Sequence, residues 1–220
     1  LLTKQMKDKL NIGESPYTVV EGIIDEVKFK DSRNMSHLET QNIILYTGTL
    51  MKVYGIMNLV HAFNYLDDSY ELWICGKGES EKDILKAAIN NKNIKYLGYL
   101  NTEEIQKIQQ KARVLVNPRT NEGEYTKYSF PSKTMEYLAS GNPVLMHRLD
   151  GIPDEYYNYL QIIEGDSPKD ISMAIKKICE KPKQEIIKLG ELGRNFVLMN
   201  KNEKILEMWR QDEFNKNITK

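Results

Sequence analysis

The 220-residue chain predicts an α/β fold: a Rossmann-like, three-layer domain in which a parallel sheet is covered by helices on both faces. Short apolar runs alternate with stretches of helical period, and helix start or stop residues stand at the junctions. Repeated strand and helix units of this length imply parallel strands joined by right-handed crossovers.

Taken in order, residues 17–20 (YTVV) read as a first strand and 42–47 (NIILYT) as a second. The helix that follows is the clearest, with Ile56, Leu59, Val60 and Phe63 at i, i+3, i+4 and i+7 on one face. After a strand at 71–75, Ser80 with Asp83 reads as a helix start, a capping oxygen three residues before a carboxylate. Asn101 with Glu104 repeats that pattern after a strand at 94–97. Strands at 114–117 and 143–146 flank a helix through Tyr137 and Leu138, which Gly141 stops. A last strand at 160–163 leads to a helix start at Ser167-Pro168. Trp73 and Trp209 read as packing groups, Trp209 on a C-terminal amphipathic stretch with Ile205, Leu206 and Met208, and His61 reads as structural.

Composition excludes several classes of function. Thirty-one basic and thirty-one acidic residues give a neutral chain without the basic stripe of a nucleic-acid binder, so no nucleic-acid partner is expected. Cys75 and Cys179 lie far apart with no CxxC or Cys/His spacing, which points to free thiols in a reducing compartment, neither a disulfide scaffold nor a zinc site. No run approaches the roughly 20 apolar residues of a membrane span, and the first residues lack a signal-peptide core, so a cytoplasmic location is expected. The acceptor-like triplets at Asn34 and Asn217 are then chance matches. The chain starts on Leu1, and it reads as part of a longer parent.

Ligands of such sheets bind beyond the carboxyl ends of the strands, so the chemistry belongs to the loops after Thr47, Cys75, Leu97, Asn117 and Met146. Gly48-Thr49 leads to Gly55, a pattern that suits either a tight turn or an anion cradle. Gly76-Lys77-Gly78-Glu79-Ser80-Glu81 begins like G-x-G-x-x-G but lacks the third glycine and the later acidic residue, and no G-x-x-x-x-G-K-[ST] occurs. Neither dinucleotide oxidoreduction nor P-loop hydrolysis is expected. The densest chemistry lies in YSFPSKTMEYLASG at 128–141, where one helix start collects several anion-binding devices. Ser132 or its neighbour can cap, the amides of Ser132, Lys133 and Thr134 can face phosphate oxygens, and Lys133 adds a full charge. Glu136, one turn in, would repel phosphate but can accept hydrogen bonds from vicinal hydroxyls. His147 follows a strand at the same edge, either as a sugar contact or as a loop residue without a role.

Five blocks in order then resemble the C-terminal domain of GT-B glycosyltransferases of the family 4 (group 1) type that build bacterial surface polysaccharides. They are YTGTLMKVYGIMNLVHAF from Tyr46, LWICGKGESEKDI from Leu72, IKYLGYL from Ile94, ARVLVNPR from Ala112 and FPSKTMEYLASGNPVL from Phe130. The resemblance implies the C-terminal half of a GT-B enzyme. Residues 1–40 would be the end of the N-terminal domain and a crossover, with VVEGIID at 19–25 in the place usually written Asn-Gly-Val-Asp. Residues 41–198 would form the Rossmann-like nucleotide-sugar-binding domain, and 199–220 a C-terminal helix and tail crossing back to the missing domain. It implies a retaining transfer of a sugar from a nucleoside diphosphate sugar, UDP-hexose in the first instance, to a saccharide or lipid-linked acceptor. That acceptor would be held by the missing N-terminal domain, which would also make any peripheral membrane contact. No metal or other cofactor is expected, since no DXD motif is present, and the fragment alone should bind nucleotide but turn over little substrate. The alternative is a non-catalytic nucleotide-sugar-binding or interaction module.

By the same resemblance, Gly48, Thr49 and Gly76 lie along the donor crevice, Gly98 and Tyr99 line the base pocket, Glu136 holds the ribose, and Ser132, Lys133 and Thr134 hold the diphosphate. The family's Arg and Lys beside the first two glycines are replaced here by Thr49 and Tyr54. Lys133, Arg119 and Lys52 are the candidate substitute cations, with Lys133 first. The family's first glutamate, eight residues before Glu136, is Tyr128 here, leaving Glu122 or Glu124 of the preceding loop to take its catalytic role together with Lys133.

Overall fold

A computed structural model describes residues 1–29 and 42–208; His37, Asn34, Trp209 and Asn217 lie outside the described residues. The elements are α1 (Met6–Lys9), β1 (Asn42–Thr47), α2 (Ile56–Ala62), β2 (Tyr70–Cys75), α3 (Glu81–Asn90), β3 (Ile94–Tyr96) and α4 (Thr102–Lys111). They continue with β4 (Val114–Asn117), α5 (Lys133–Ser140), β5 (Val144–Met146), β6 (Gln161–Ile162), α6 (Pro168–Cys179) and α7 (Lys183–Asn200). The six strands form one sheet in the order β3-β2-β1-β4-β5-β6, and every pairing is parallel. The chain winds outward from β1 in both directions, so the order reverses between β1 and β4 and opens a crevice there.

Alternation along the strands builds the three layers. Ile44, Tyr46, Val114 and Val116 face one side, where they meet Ile56, Leu59 and Val60 of α2 and Ile171 and Ile175 of α6. Leu45, Leu115, Val144 and Met146 face the other, packed on Met135 and Leu138 of α5 and Phe196 and Val197 of α7. The apolar face read from Ile56, Leu59, Val60 and Phe63 is buried as expected. Asn101 with Glu104 forms the expected capping box, Ser167 with Asp170 forms another with Pro168 in the first turn, and Gly141 ends α5 in a left-handed conformation.

Three expectations fail. Residues 17–20 form no strand: the segment runs extended beside the N-terminus, with the Leu1 amine donating to the Thr18 carbonyl at 2.8 Å and the Val20 amide to the Leu1 carbonyl at 2.8 Å, away from the sheet. Ser80 does not cap α3. Its amide is drawn to the Leu50 carbonyl at 2.9 Å and its backbone leaves the extended region a cap requires, so the hydroxyl is buried unbonded. His61 lies on the exposed side of α2.

The ends of the described chain are joined. Ile24 bridges to Asn202, and buried Glu21 accepts from Lys201 Nζ at 2.6 Å and from the Tyr156 hydroxyl at 2.9 Å, burial pushing the Tyr156 phenol up. Among the described residues no helix is long and apolar enough to cross a membrane.

Candidate functional site

The crevice between β1 and β4 deepens into a cavity of about 360 Å³, walled by the end of β1 with Gly48 and Thr49, by Asn117 at the end of β4 and Arg119 just after it, and by the start of α5. A larger cleft of about 520 Å³ lies between Thr3, Gln5 and residues 148–157, off the switch point. Two close approaches shape the smaller cavity. The end loops of β1 and β2 touch so tightly that a Cβ on Gly76 (φ +147°) would lie 1.8 Å from the Gly48 carbonyl oxygen. The turn into α2 presses on the loop after β4, where a Cβ on Gly55 (φ +74°) would lie 2.3 Å from the Pro118 carbonyl oxygen. Tyr54 is thereby carried against Arg119.

Tyr137 anchors the opposite wall. Its hydroxyl accepts from the Thr47 amide at 2.7 Å and donates to the Thr47 carbonyl at 2.9 Å, stapling α5 to the end of β1. Burial pushes this phenol up to about 12 against the opposing effect of the Thr47 bonds, so it stays a neutral donor and acceptor. At the start of α5 the Thr134 amide is used by the Pro131 carbonyl at 2.8 Å and the Met135 amide by the Ser132 carbonyl at 3.1 Å. The Ser132 and Lys133 amides find no acceptor among the described residues, and the Ser132 side chain makes no cap. Two donors and the positive end of the helix therefore face the cavity.

Arg119 is 7% exposed. One terminal nitrogen donates to Ser129 Oγ at 2.7 Å, Nε is buried without a partner, and the guanidinium lies 5.4 Å from the Tyr54 ring centroid and 5.0 Å from that of Tyr125. No carboxylate pairs with it among the described residues.

A family model described as "Glycosyl transferases group 1" matches residues 27–195. The chain belongs to the group 1 glycosyl transferases. Solved structures agree in fold: Staphylococcus aureus TarM (TM-score 0.74, 18% identity, covering 96% of this chain and 42% of TarM) and sucrose-phosphate synthase from Thermosynechococcus elongatus (0.74, 17%, 98% and 56%). The C-terminal domain of the group 1 protein LpcC from Francisella tularensis (0.62, 16%, 82% and 99%) is similar over almost its whole length. The chain thus has the Rossmann-like architecture of one half of a GT-B enzyme, and it spans about half the length of the first two. A comparison with curated protein sequences finds no significant match.

Among the residues singled out for a group 1 enzyme, the cavity brings together Gly48, Thr49, Arg119, Ser132 and Lys133. Gly76 and Gly98 lie farther along the same edge, where the Gly48 amide donates to the Cys75 carbonyl at 3.0 Å and the Gly76 amide to the Gly98 carbonyl at 2.9 Å, extending the β1, β2 and β3 ladder past its strands. Tyr99 is 69% exposed with Lys77 Nζ 5.1 Å over its ring, outside the cavity. Glu136 sits one turn into α5 with Oε2 2.6 Å from Lys133 Nζ, so the first-choice phosphate cation is turned toward the ribose candidate.

Other placements depart further from expectation. Thr134 is buried against Met146, 3.9 Å from its sulfur, and its amide is spent on Pro131. Lys52 points to Asp83, 3.7 Å away, on the outer side of the β1 loop. Glu122 is exposed, and Glu124 accepts from the Tyr128 hydroxyl at 3.1 Å and pairs with Lys9 at 3.7 Å; neither lines the cavity. His147 is buried with Nε2 3.1 Å from the Gly165 carbonyl oxygen. Among the described residues no group of three or more candidate ligands is placed to hold a metal ion. Sequence reasoning missed Tyr54 and Tyr125 as supports of Arg119 and Tyr137 as a staple. Their aromatic character was visible, but the partner of each lies on another loop.

Proposed function

We propose that this chain is the donor-binding half of a retaining glycosyltransferase that transfers a hexose from UDP-hexose to a saccharide or lipid-linked acceptor, as a cytoplasmic enzyme. The observation that carries this reading is the open start of α5, with two unbonded amides facing a 360 Å³ cavity at the sheet's switch point. A diphosphate placed there meets the Ser132 and Lys133 amides as charge develops on it during cleavage of the glycosidic bond, which is stabilisation by donors already in position. Glu136, oriented by Lys133, accepts from the ribose hydroxyls, and the base lies along the Gly76 and Gly98 edge. The proposed transfer uses no metal or other cofactor. TarM, one of the structural neighbours, is solved with UDP, which supports that choice of nucleotide. The acceptor and the groups around the sugar come from the other half of the enzyme, so the chain alone binds donor without turning it over.

Thermal denaturation in the presence of UDP, GDP, ADP and TDP tests the reading. UDP at 100 times its Kd should add about 2.7 kcal/mol of stability, and Glu136→Ala should weaken the effect. A chain whose melting is unmoved by every nucleoside diphosphate is not a donor-binding domain.

A further inference from the structure

The charge balance of the cavity singles out one residue. Two cations, Arg119 and Lys133, line it. Lys133 Nζ lies 2.6 Å from Glu136 Oε2, so its charge is already met by a carboxylate. Arg119 is met by none among the described residues: its single side-chain hydrogen bond goes to the neutral Ser129 hydroxyl, and Nε is buried without an acceptor. A guanidinium withdrawn from water with its charge unmatched and its donors unfilled is unfavourable as it stands, and an anion entering the cavity removes both deficits. Tyr54 and Tyr125, with ring centroids 5.4 and 5.0 Å from the guanidinium, limit its movement and leave the planar fork in a defined direction. Such a fork matches two oxygens of a phosphate at once, which a lysine ammonium does not. The open amides of Ser132 and Lys133 line the same cavity, so cation and amides converge on one anion.

We propose that Arg119, held between Tyr54 and Tyr125, is the cation that recognises the donor diphosphate in this chain, and that Lys133 serves instead to orient Glu136. This assignment rests on reading the cavity as the donor site. Thr49 and Tyr54 carry no charge at the β1 end of the cavity, and Lys52 is turned away to Asp83, which leaves the loop after β4 as the source of the missing charge.

The test titrates the 220-residue chain with UDP, uridine and inorganic pyrophosphate, comparing wild type with Arg119→Gln, Arg119→Lys and Lys133→Gln. Losing a charge-assisted pair should weaken UDP and pyrophosphate about 10- to 100-fold in Arg119→Gln while uridine is unaffected. Arg119→Lys keeps a positive charge in the aromatic clamp and so carries the test even if the glutamine variant fails to fold. UDP weakened with uridine unchanged supports the assignment, and UDP unchanged overturns it. Lys133→Gln should keep pyrophosphate within about threefold of wild type and weaken UDP and uridine alike, because the group it releases is Glu136. A loss of pyrophosphate affinity there as large as in the arginine variants overturns the assignment and leaves the donor reading intact. A wild-type chain that binds pyrophosphate through Arg119 yet gains nothing from the nucleoside keeps Arg119 as the anion site and sinks the nucleotide reading. A wild-type chain that binds none of the three overturns both.

Discussion

Helices α4 and α6 begin with reciprocal capping boxes, whereas α5 begins with none. Asn101 accepts from the Glu104 amide at 3.0 Å while Glu104 accepts from the Asn101 amide at 2.8 Å, and Ser167 and Asp170 exchange the same pair at 3.2 and 3.0 Å. Each of those starts closes amides with its own side chains and brings its own carboxylate to the positive end of the helix. At α5 the Ser132 hydroxyl makes no cap, two amides find no acceptor among the described residues, and the Arg119 cation lines the same cavity. The difference separates starts closed by their own side chains from one that is not: α4 and α6 are capped locally, whereas α5 opens on the switch-point cavity with free donors that the proposed diphosphate would fill.

The contrast breaks most sharply if the wall beside Arg119 is moved. Gly55→Ala places a methyl 2.3 Å from the Pro118 carbonyl oxygen at a left-handed backbone position, and should cost about 2–3 kcal/mol in urea unfolding along with UDP binding. Gly98→Ala, also left-handed but opening on free space, should cost only about 1 kcal/mol. A smaller effect comes from making α5 resemble its neighbours: Ser132→Asp brings an acid to the open start. It should weaken UDP about tenfold, roughly 1.4 kcal/mol by calorimetry, while leaving stability within about 0.5 kcal/mol of wild type.

Removing the caps sharpens the comparison from the other side. Ser167→Ala and Asn101→Ala should each lower stability by about 1 kcal/mol without altering nucleotide affinity. Ser132→Ala should change stability by less than about 0.5 kcal/mol, because no cap is lost there. The least specific effect is alkaline. The Tyr137 phenol is raised from 10.0 to about 12 by burial, so the unfolded chain releases that proton first. Its contribution is complete below about pH 10 and is lost as the pH rises through about 12, which denaturation curves at pH 9 and pH 11 should show as a loss that Tyr137→Phe reduces.

Strand positions were legible because the signal for a buried strand is local: β1 and β4 have the bounds their apolar runs suggest, β2, β3 and β5 differ by a residue at one end, and β6 is shorter by a residue at each end. Residues 17–20 carry the same signal without a neighbouring strand to complete it, and they stay outside the sheet. The Asn101 and Ser167 starts were legible for the same reason as the strands, since both partners of each box lie within one turn. Ser80 has an equally good local pattern, but the Leu50 carbonyl, from another loop, takes its amide and turns it away.

The site divides along the same line. Residue order alone was enough to single out the helix start at Ser132 and Lys133, which the structure leaves uncapped beside the cavity, and to name a short set of cations, because the chemistry of one loop and one helix turn is contiguous. Choosing among those cations needed three dimensions. Lys133 meets Glu136 one turn away on its own helix, Lys52 meets Asp83 of α3, and Arg119 meets two aromatic rings, one from the turn before α2 and one from the loop before α5. Whether a charge is free to bind an anion depends on which groups share its surroundings. Those surroundings are assembled from segments that only the packed sheet brings together.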